Sequence, residues 1–405
     1  MRKWVSLLMI GLLALVPLQY SNAANPKAGG SCSKLNSKQT YNEKVFTCTK
    51  LGKKLVWDKG RLINRVLPSP TPQASILTKV PPNANPASSE VPTAKASTEP
   101  NAPTSLNDIV TNSEGISYWA WKKASNKIKT SITKLGNIQI SIGPNTLPDN
   151  PYPLVALNYV SRLTANFPEP DQVRVVYASE KDIDWGQNQI TQFCDSSCGY
   201  DVNGEAKKAC NVPITPCWGG LAVRNQKTGV TLIYITASDW GKNDADHTQG
   251  TLEAHEYFHT IQSVLLAPQS YSNLPRWLVE GSATWVANAS TFNANFAKYQ
   301  KERNRVSIDT LEHKSYSVEW LNEFLNPNSG LNWDSWNKYD NWNLYDIGSL
   351  ATEALVAIQG PDSILQLMKN IGIGMNFEQS FKTTFGLSWK DAALMLAKAI
   401  NKESK

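Results

Sequence analysis

The chain has 405 residues, enough for two or three domains, with 41% hydrophobic and 18% charged residues. Its net charge of +6 is local, because residues 24–65 carry ten Lys or Arg against two acids while residues 66–405 are net acidic. No basic and aromatic groove pattern appears outside residues 24–65, which argues against nucleic-acid binding. After the N-terminal segment no run approaches the roughly 18 apolar residues of a membrane span, so we expect no transmembrane helix.

Residues 1–23 have the three parts of a secretory signal peptide. Arg2 and Lys3 precede an apolar run at 5–16, and Ser21-Asn22-Ala23 is a small-residue cleavage site. We therefore predict that the protein is secreted and is extracellular or associated with the cell wall.

Residues 24–65 are predicted to form a small basic module that contains two cysteines. Val45–Thr49 and Leu55–Trp57 read as the two strands of a hairpin, and we expect Cys32 to pair with Cys48. The cationic charge makes the module a candidate contact with an anionic cell wall. A charged face that only keeps the module in solution explains the same composition, and both interpretations stay open.

Residues 66–105 are dominated by Pro, Ser, Thr and Ala. Such a composition does not bury a core, which predicts a disordered, extended linker. The linker separates the basic module from residues 106–405, which we predict to be a globular catalytic domain.

A second group of cysteines lies within 24 residues and comprises Cys194, Cys198, Cys210 and Cys217. In an exported chain, an even number of cysteines indicates disulfide bonds, and these four allow three pairings. A structural zinc knot is the competing interpretation, but the spacing of these cysteines is unusual for one. Because these cysteines precede the predicted helix at 251–264, we expect their disulfides to hold a loop beside that helix.

Residues 106–405 alternate between strand and helix patterns and then become mainly helical, which predicts an α+β fold. The predicted elements, in chain order, are strand 138–143, helix 153–167, strand 172–178, the hairpin strands 221–224 and 230–236, helices 251–264 and 277–287, and a final helix at 389–400.

The most informative segment is His255-Glu256-Tyr257-Phe258-His259, an H-E-x-x-H motif on a predicted helix. Residues four apart on a helix lie on one face, so both imidazoles can bind one metal ion. Glu256 is rotated by about 100° from His255, which suits a base that is not itself a ligand. Glu280, 21 residues after His259, is the expected third ligand, and three ligands leave the open position of a catalytic zinc site.

From about Leu252 to Ala397 the chain resembles the gluzincin branch of the MA-clan zinc metallopeptidases. The matching motifs are His255-Glu256-x-x-His259-x-x-Gln262, Pro275-x-Trp277-Leu278-x-Glu280-Gly281-x-Ala283, Tyr345-x-x-Gly348 and Phe381-x-x-x-Phe385-Gly386-Leu387-Ser388-Trp389.

The resemblance implies a zincin-like fold with an N-terminal sheet lobe, a C-terminal helical lobe and the metal between them. It also implies His255, His259 and Glu280 as ligands of Zn²⁺ and Glu256 as the general base that hydrolyses a peptide or protein substrate. An edge strand would bind the peptide by backbone pairing, and Val230–Thr236 is the predicted edge.

One position departs from the family pattern. Many gluzincins carry an acid four residues after the ligand glutamate, where this chain has Thr284. A ligand histidine needs an acceptor at its other ring nitrogen. Either Thr284, a backbone carbonyl or a distant acid such as Asp346 provides it, or the site binds zinc weakly, and the sequence leaves these alternatives open.

Several roles outside the motif stay open in the sequence. Tyr345 is the expected oxyanion donor and His313 the weaker candidate; we otherwise expect His247 and His313 to be solvated. Asp244 and Asp246 fit solvated acids better than a calcium loop. The Trp-rich stretch 331–345 favours packing on the helical lobe over binding of sugars or peptides.

Two other functions explain the same residues. One is a non-catalytic cell-surface binding protein on a peptidase-like fold, and the other is an amidase that acts on cell-wall peptides.

Overall fold

A computed structural model of the chain describes residues 27–62, except 36, 42–43 and 60, and residues 99–404, except 133–134, 211–216, 218, 239–240, 270, 309–315 and 327–341. The predicted signal peptide and most of the predicted linker lie outside these residues. The chain divides between Ser89 and Glu90 into two units, each described by itself below.

The first unit is built from short antiparallel strands: β1 (Lys38–Tyr41), β2 (Lys44–Leu51), β3 (Lys54–Trp57) and β4 (Arg61–Leu62). The strand β2 pairs with each of the other three. A disulfide joins Cys32 to Cys48, whose side chain is buried in β2. The predicted hairpin and its disulfide are therefore confirmed, and the sheet has two more strands than expected.

The second unit contains a mixed four-stranded sheet of β5 (Asn137–Ile142), β6 (Gln172–Ser179), β7 (Gly220–Arg224) and β8 (Thr231–Ala237). The spatial order is β5-β6-β8-β7, with the first three strands parallel and β7 antiparallel at the edge. The predicted strands are confirmed to within a residue or two. The α+β class is confirmed as well.

The helices before the histidine motif are α1 (Ile116–Thr130), α2 (Pro153–Leu163), α3 (Ile183–Cys194), α4 (Glu205–Ala209) and α5 (Ala245–Thr248). Those that carry and follow it are α6 (Thr251–Leu266), α7 (Arg276–Thr291), α8 (Phe296–Arg303), α9 (Val318–Leu325), α10 (Trp342–Gln359), α11 (Asp362–Gly372), α12 (Phe377–Phe385) and α13 (Trp389–Glu403). In the part of the chain that the structure describes, no helix combines the length and apolar character that crossing a membrane requires.

The prediction that Val230–Thr236 is the edge strand is wrong. The strand β8 lies between β6 and β7, and all seven of its residues are buried. A strand covered on both faces has a continuous apolar run, as in Leu232-Ile233-Tyr234-Ile235, whereas an edge strand is partly exposed. The two edges are β5 and β7, and β7, of which only Val223 is fully buried, is the edge strand of this hairpin.

Apolar side chains pack on both faces of this sheet. One face meets α6, and Ile233 and Ile235 of β8 belong to the main core, which also includes residues of α7 and α10. The other face meets α3 in a smaller cluster that contains Leu232 and Tyr234. Side chains alternate along each strand, so successive residues face opposite sides of the sheet. The helix α6 packs on the side of Ile233 and Ile235.

Two disulfides lie in the segment between α3 and β7. Cys194 is joined to Cys198, and Cys210 to Cys217, which is the sequential choice among the three open pairings. Both are thus disulfides rather than ligands of a zinc knot. The segment leads into Gly220, where an added Cβ would lie 2.7 Å from Glu256 Cγ, so it borders the histidine motif as expected.

Candidate metal centre

The helix α6 presents His255 and His259 to one point in space. It begins after Gly250, whose φ of +85° breaks the preceding chain direction, and runs without a break for 16 residues. One helical turn separates the imidazoles, and their Nε2 atoms lie 3.0 Å apart. Neither histidine therefore has to leave a regular helix to face the other.

Glu280 reaches the same point from α7, which packs against α6. Its Oε2 lies 3.5 Å from His255 Nε2 and 3.3 Å from His259 Nε2. Each of the three side chains retains 13% of its accessible surface, so the cluster lies at the bottom of an opening rather than in a sealed core.

The spacing of the three atoms fits a tetrahedral ion. Zinc bonds to nitrogen and oxygen are about 2.0–2.1 Å long, so neighbouring corners of the tetrahedron lie about 3.3 Å apart. The measured separations of 3.0, 3.3 and 3.5 Å form one face of such a tetrahedron. Two imidazoles also disfavour Ca²⁺ and Mg²⁺, which prefer oxygen ligands. Among the residues that the structure describes, no other group of three such ligands converges.

Hydrogen bonds hold the far nitrogen of His259. Its Nδ1 lies 2.7 Å from Gln262 Oε1, and the Gln262 amide donates to Val279 O at 2.9 Å and to Ser282 Oγ at 3.0 Å. Because the amide donates on its nitrogen side, its oxygen must accept from Nδ1–H. In the neutral ring the lone pair is then on Nε2, which is the form that binds a metal.

The corresponding contact of His255 is longer. Thr284 Oγ1 lies 3.5 Å from His255 Nδ1 and donates to Glu280 O at 3.0 Å. Of the three acceptors left open by the sequence, Thr284 is thus in place, at the outer limit of a hydrogen bond. The two hydrogen-bond directions are consistent, because the Thr284 hydroxyl accepts from the imidazole N–H and donates its own hydrogen to the backbone carbonyl of Glu280.

The charges of the cluster favour a carboxylate beside a cation. Burial alone would raise the pKa of Glu280, but the charge of His259 and hydrogen bonds from both imidazoles hold it well below its usual range. Burial lowers the pKa of His259, but the Glu280 carboxylate outweighs this and raises it to about 9. The site is therefore arranged to surround positive charge.

Glu256 lies next to the cluster and is 6% exposed. Burial raises the pKa of Glu256 to about 7, with His259 lowering it and Glu280 raising it further. The edge strand leaves room for this side chain, because a Cβ on Gly220 would stand 2.7 Å from Glu256 Cγ. Only glycine fits at this position without moving Glu256.

Tyr345 packs over the cluster from α10. Its ring stacks on His255 with centroids 5.8 Å apart, and the charge of Glu280 acts on its hydroxyl. Burial and the charges of Glu280 and Glu256 raise the pKa of Tyr345 well above its ordinary value, so the phenol stays protonated. Close contact between the backbones of Gly281 and Gly348, which has no space for a Cβ, brings α10 against α7 and so positions Tyr345.

Tyr271 is a part of the site that the sequence did not reveal. It lies in the connection between α6 and α7, and its hydroxyl donates to His259 O at 2.7 Å. Burial and the charges of Glu280 and Glu256 raise the pKa of Tyr271. No motif contains this residue, so only the fold identifies it. Gln262 was visible in the motif, but its role was not foreseen.

The prediction that His247 is solvated is wrong. The side chain is buried, with 4% of the residue exposed, and its Nδ1 lies 3.3 Å from Asp149 Oδ2. Burial lowers the pKa of His247, but the hydrogen bond and charge of Asp149 raise it by more. Asp246 forms an ion pair with Arg305 at 3.1 Å rather than standing alone in solvent.

The fourth histidine, His313, and most of the Trp-rich stretch 331–345 lie outside the described residues. No protein-family model, curated protein or solved structure matches the chain.

Proposed function

We propose that the chain is a secreted zinc-dependent peptidase of the gluzincin type, with a zincin-like catalytic domain. The observation that carries the proposal is the convergence of His255, His259 and Glu280 at the spacing of a tetrahedral ion, with Glu256 beside it. A structural zinc site has four protein ligands, whereas three ligands at the base of an opening leave a position for substrate chemistry. The disulfides agree with export to an oxidising compartment.

His255, His259 and Glu280 are the residues that would hold zinc. When bound, zinc supplies a Lewis acid that activates water and polarises the substrate carbonyl. Gln262 and Thr284 hold the Nδ1 atoms of the two imidazoles, so that both Nε2 atoms would be available to bind zinc.

Glu256 acts as the general base and then as the general acid. It accepts a proton from the attacking water as the C–O bond forms, and it passes that proton to the amine as the C–N bond breaks. Tyr345, whose phenol is protonated, donates to the oxygen that gains negative charge.

The edge of β7 offers the substrate a backbone partner. Asn225 N–H donates to Val230 O at 2.9 Å and Thr236 N–H donates to Gly219 O at 3.1 Å, so the odd positions of β7 bond to β8. In an antiparallel pair the alternate positions then direct their N–H and C=O groups outward. These are positions 220, 222 and 224, and an extended peptide that pairs with them passes Glu256 at Gly220.

The decisive variant is Glu256→Gln, which keeps the shape of the side chain and removes the base. We expect hydrolysis of casein to fall by about 10²-fold or more while zinc content and thermal stability stay as in the wild type. Glu180→Gln, which makes the same change at an exposed residue, is the matched control and should retain activity. Full activity in Glu256→Gln would contradict the mechanism. Hydrolysis of purified cell-wall peptides with casein left intact would instead favour the amidase.

A further inference from the structure

The side chains of β7 separate cleanly between the two faces of the sheet. Leu221 and Val223 pack into the smaller cluster on the far side. A Cβ on Gly220 would point at Glu256, so the even positions face α6 and the metal centre. By the alternation of a strand, Arg224 directs its side chain to the same face as Gly220.

Arg224 has no anionic partner within the described residues. Its Nε is fully buried without an acceptor, and the guanidinium takes part in no hydrogen bond or ion pair among these residues. The nearest link to the site is electrostatic, because the charge of Arg224 acts on Tyr271, whose hydroxyl binds the backbone of His259. A buried donor without an acceptor costs free energy, which a ligand carboxylate would recover.

The placement of Arg224 fits a role in selecting substrates. When an extended peptide pairs with an edge strand, directly opposed residues lie on the same face, with Cβ atoms about 4.5–5.5 Å apart. The substrate residue opposite Arg224 thus brings its side chain to the guanidinium. At about 3.3 Å per residue, that position lies about 13 Å along the strand from Gly220 and Glu256.

We propose that Arg224 is a specificity-determining residue that selects peptides with an acidic side chain four residues from the one that pairs with Gly220. The proposal rests on the proposed peptidase function and names its substrate class. Arg224 binds the Asp or Glu carboxylate through its planar guanidinium, and charged hydrogen bonds of this kind are short and directional. It takes no part in bond breaking.

The test is a positional scan on the purified, zinc-loaded full-length chain. Fluorogenic peptides carry one glutamate at successive positions on both sides of the cleaved bond, and each is compared with its glutamine counterpart. We expect kcat/KM to favour glutamate by about tenfold at a single position, three to five residues from the cleaved bond. In Arg224→Gln this ratio should fall to about one, because kcat/KM for the glutamate peptide falls. Arg224→Glu should favour lysine at that position.

Lys227 provides the matched control. It lies exposed in the turn between β7 and β8, so Lys227→Gln removes the same charge a few residues away. This variant should keep the preference for glutamate. An equal loss in Lys227→Gln would indicate a general field of positive charge and overturn the role of Arg224. The same conclusion follows if Arg224→Gln keeps the preference.

Binding separates failure of this inference from failure of the proposed function. Fluorescence anisotropy with the glutamate peptide, in the Glu256→Gln background, should show a Kd about tenfold lower than in the Glu256→Gln, Arg224→Gln double variant. This difference supports the inference even if no peptide is cleaved, whereas equal Kd values overturn it. Cleavage of every peptide without any positional preference leaves the peptidase standing and rejects the role of Arg224.

Discussion

Replacing Gly220 by alanine adds one methyl group at the point where the edge strand meets the proposed general base. The new Cβ would lie 2.7 Å from both Glu256 Cγ and Glu256 Oε1, whereas ordinary contacts begin at 3.4 Å. Glu256 must therefore retreat by about 0.7 Å, because a flexible side chain moves more readily than a paired strand. A misplacement of about 1 Å at a catalytic group costs about 10²-fold, so we expect kcat/KM to fall by about 10- to 100-fold.

Alanine at the neighbouring Gly219 is the control. A Cβ on Gly219 would meet Ala209 at 3.6 Å, an ordinary contact, so Gly219→Ala should keep full activity. Both variants should bind zinc as the wild type does, and neither should melt earlier, because alanine is less flexible than glycine in the unfolded chain. Peptide hydrolysis, zinc content and thermal unfolding are measured on all three proteins. Wild-type kcat/KM in Gly220→Ala, or loss of its zinc, would refute the placement of Glu256 against β7.

Three further variants test the surroundings of the site. Gln262→Leu removes the acceptor at His259 Nδ1, and we expect zinc affinity, measured by competition with a chelator, to fall by about 10- to 100-fold; unchanged affinity would show that this hydrogen bond does not orient the ligand. Tyr345→Phe removes the proposed oxyanion donor and should lower kcat by about 10²- to 10³-fold with zinc content retained; an effect on KM alone would assign the ring to binding. The pKa of His247 is raised above its ordinary 6.5 in the folded protein, so the pairing with Asp149 stabilises the fold fully below that pH and is lost as pH rises through the folded pKa. The free energy of unfolding, measured with urea, should therefore be lower in His247→Gln than in the wild type by the largest amount at acid pH. A difference that grows with pH would contradict the assignment.

The helices that carry the site were predictable because their evidence is local. His255 and His259 need only the helical period to converge, and the pattern around Trp277 places Glu280 on a second helix. Tyr345 followed from a family motif, and the structure adds the reason for its position, the contact of Gly281 with Gly348.

The errors concern contacts between distant parts of the chain. The apolar run of β8 reads equally well as an edge or as an interior strand until β6 and β7 are placed on either side of it. His247 looked solvated because its neighbours in the sequence are polar. It is buried against Asp149, which lies far away in the chain. Tyr271 and Arg224 carry no motif, and their meaning depends on where the fold puts them relative to Glu256 and His259.

The metal content of the purified chain tests the central claim most directly. After dialysis against limiting zinc, mass spectrometry of the wild type should show about one zinc per chain, as expected for a single three-ligand site. Glu280→Ala should lose most of it, because the variant removes the only carboxylate of the triad and leaves two imidazoles. A wild type that binds no zinc, or a Glu280→Ala variant that binds it as tightly, would contradict the account.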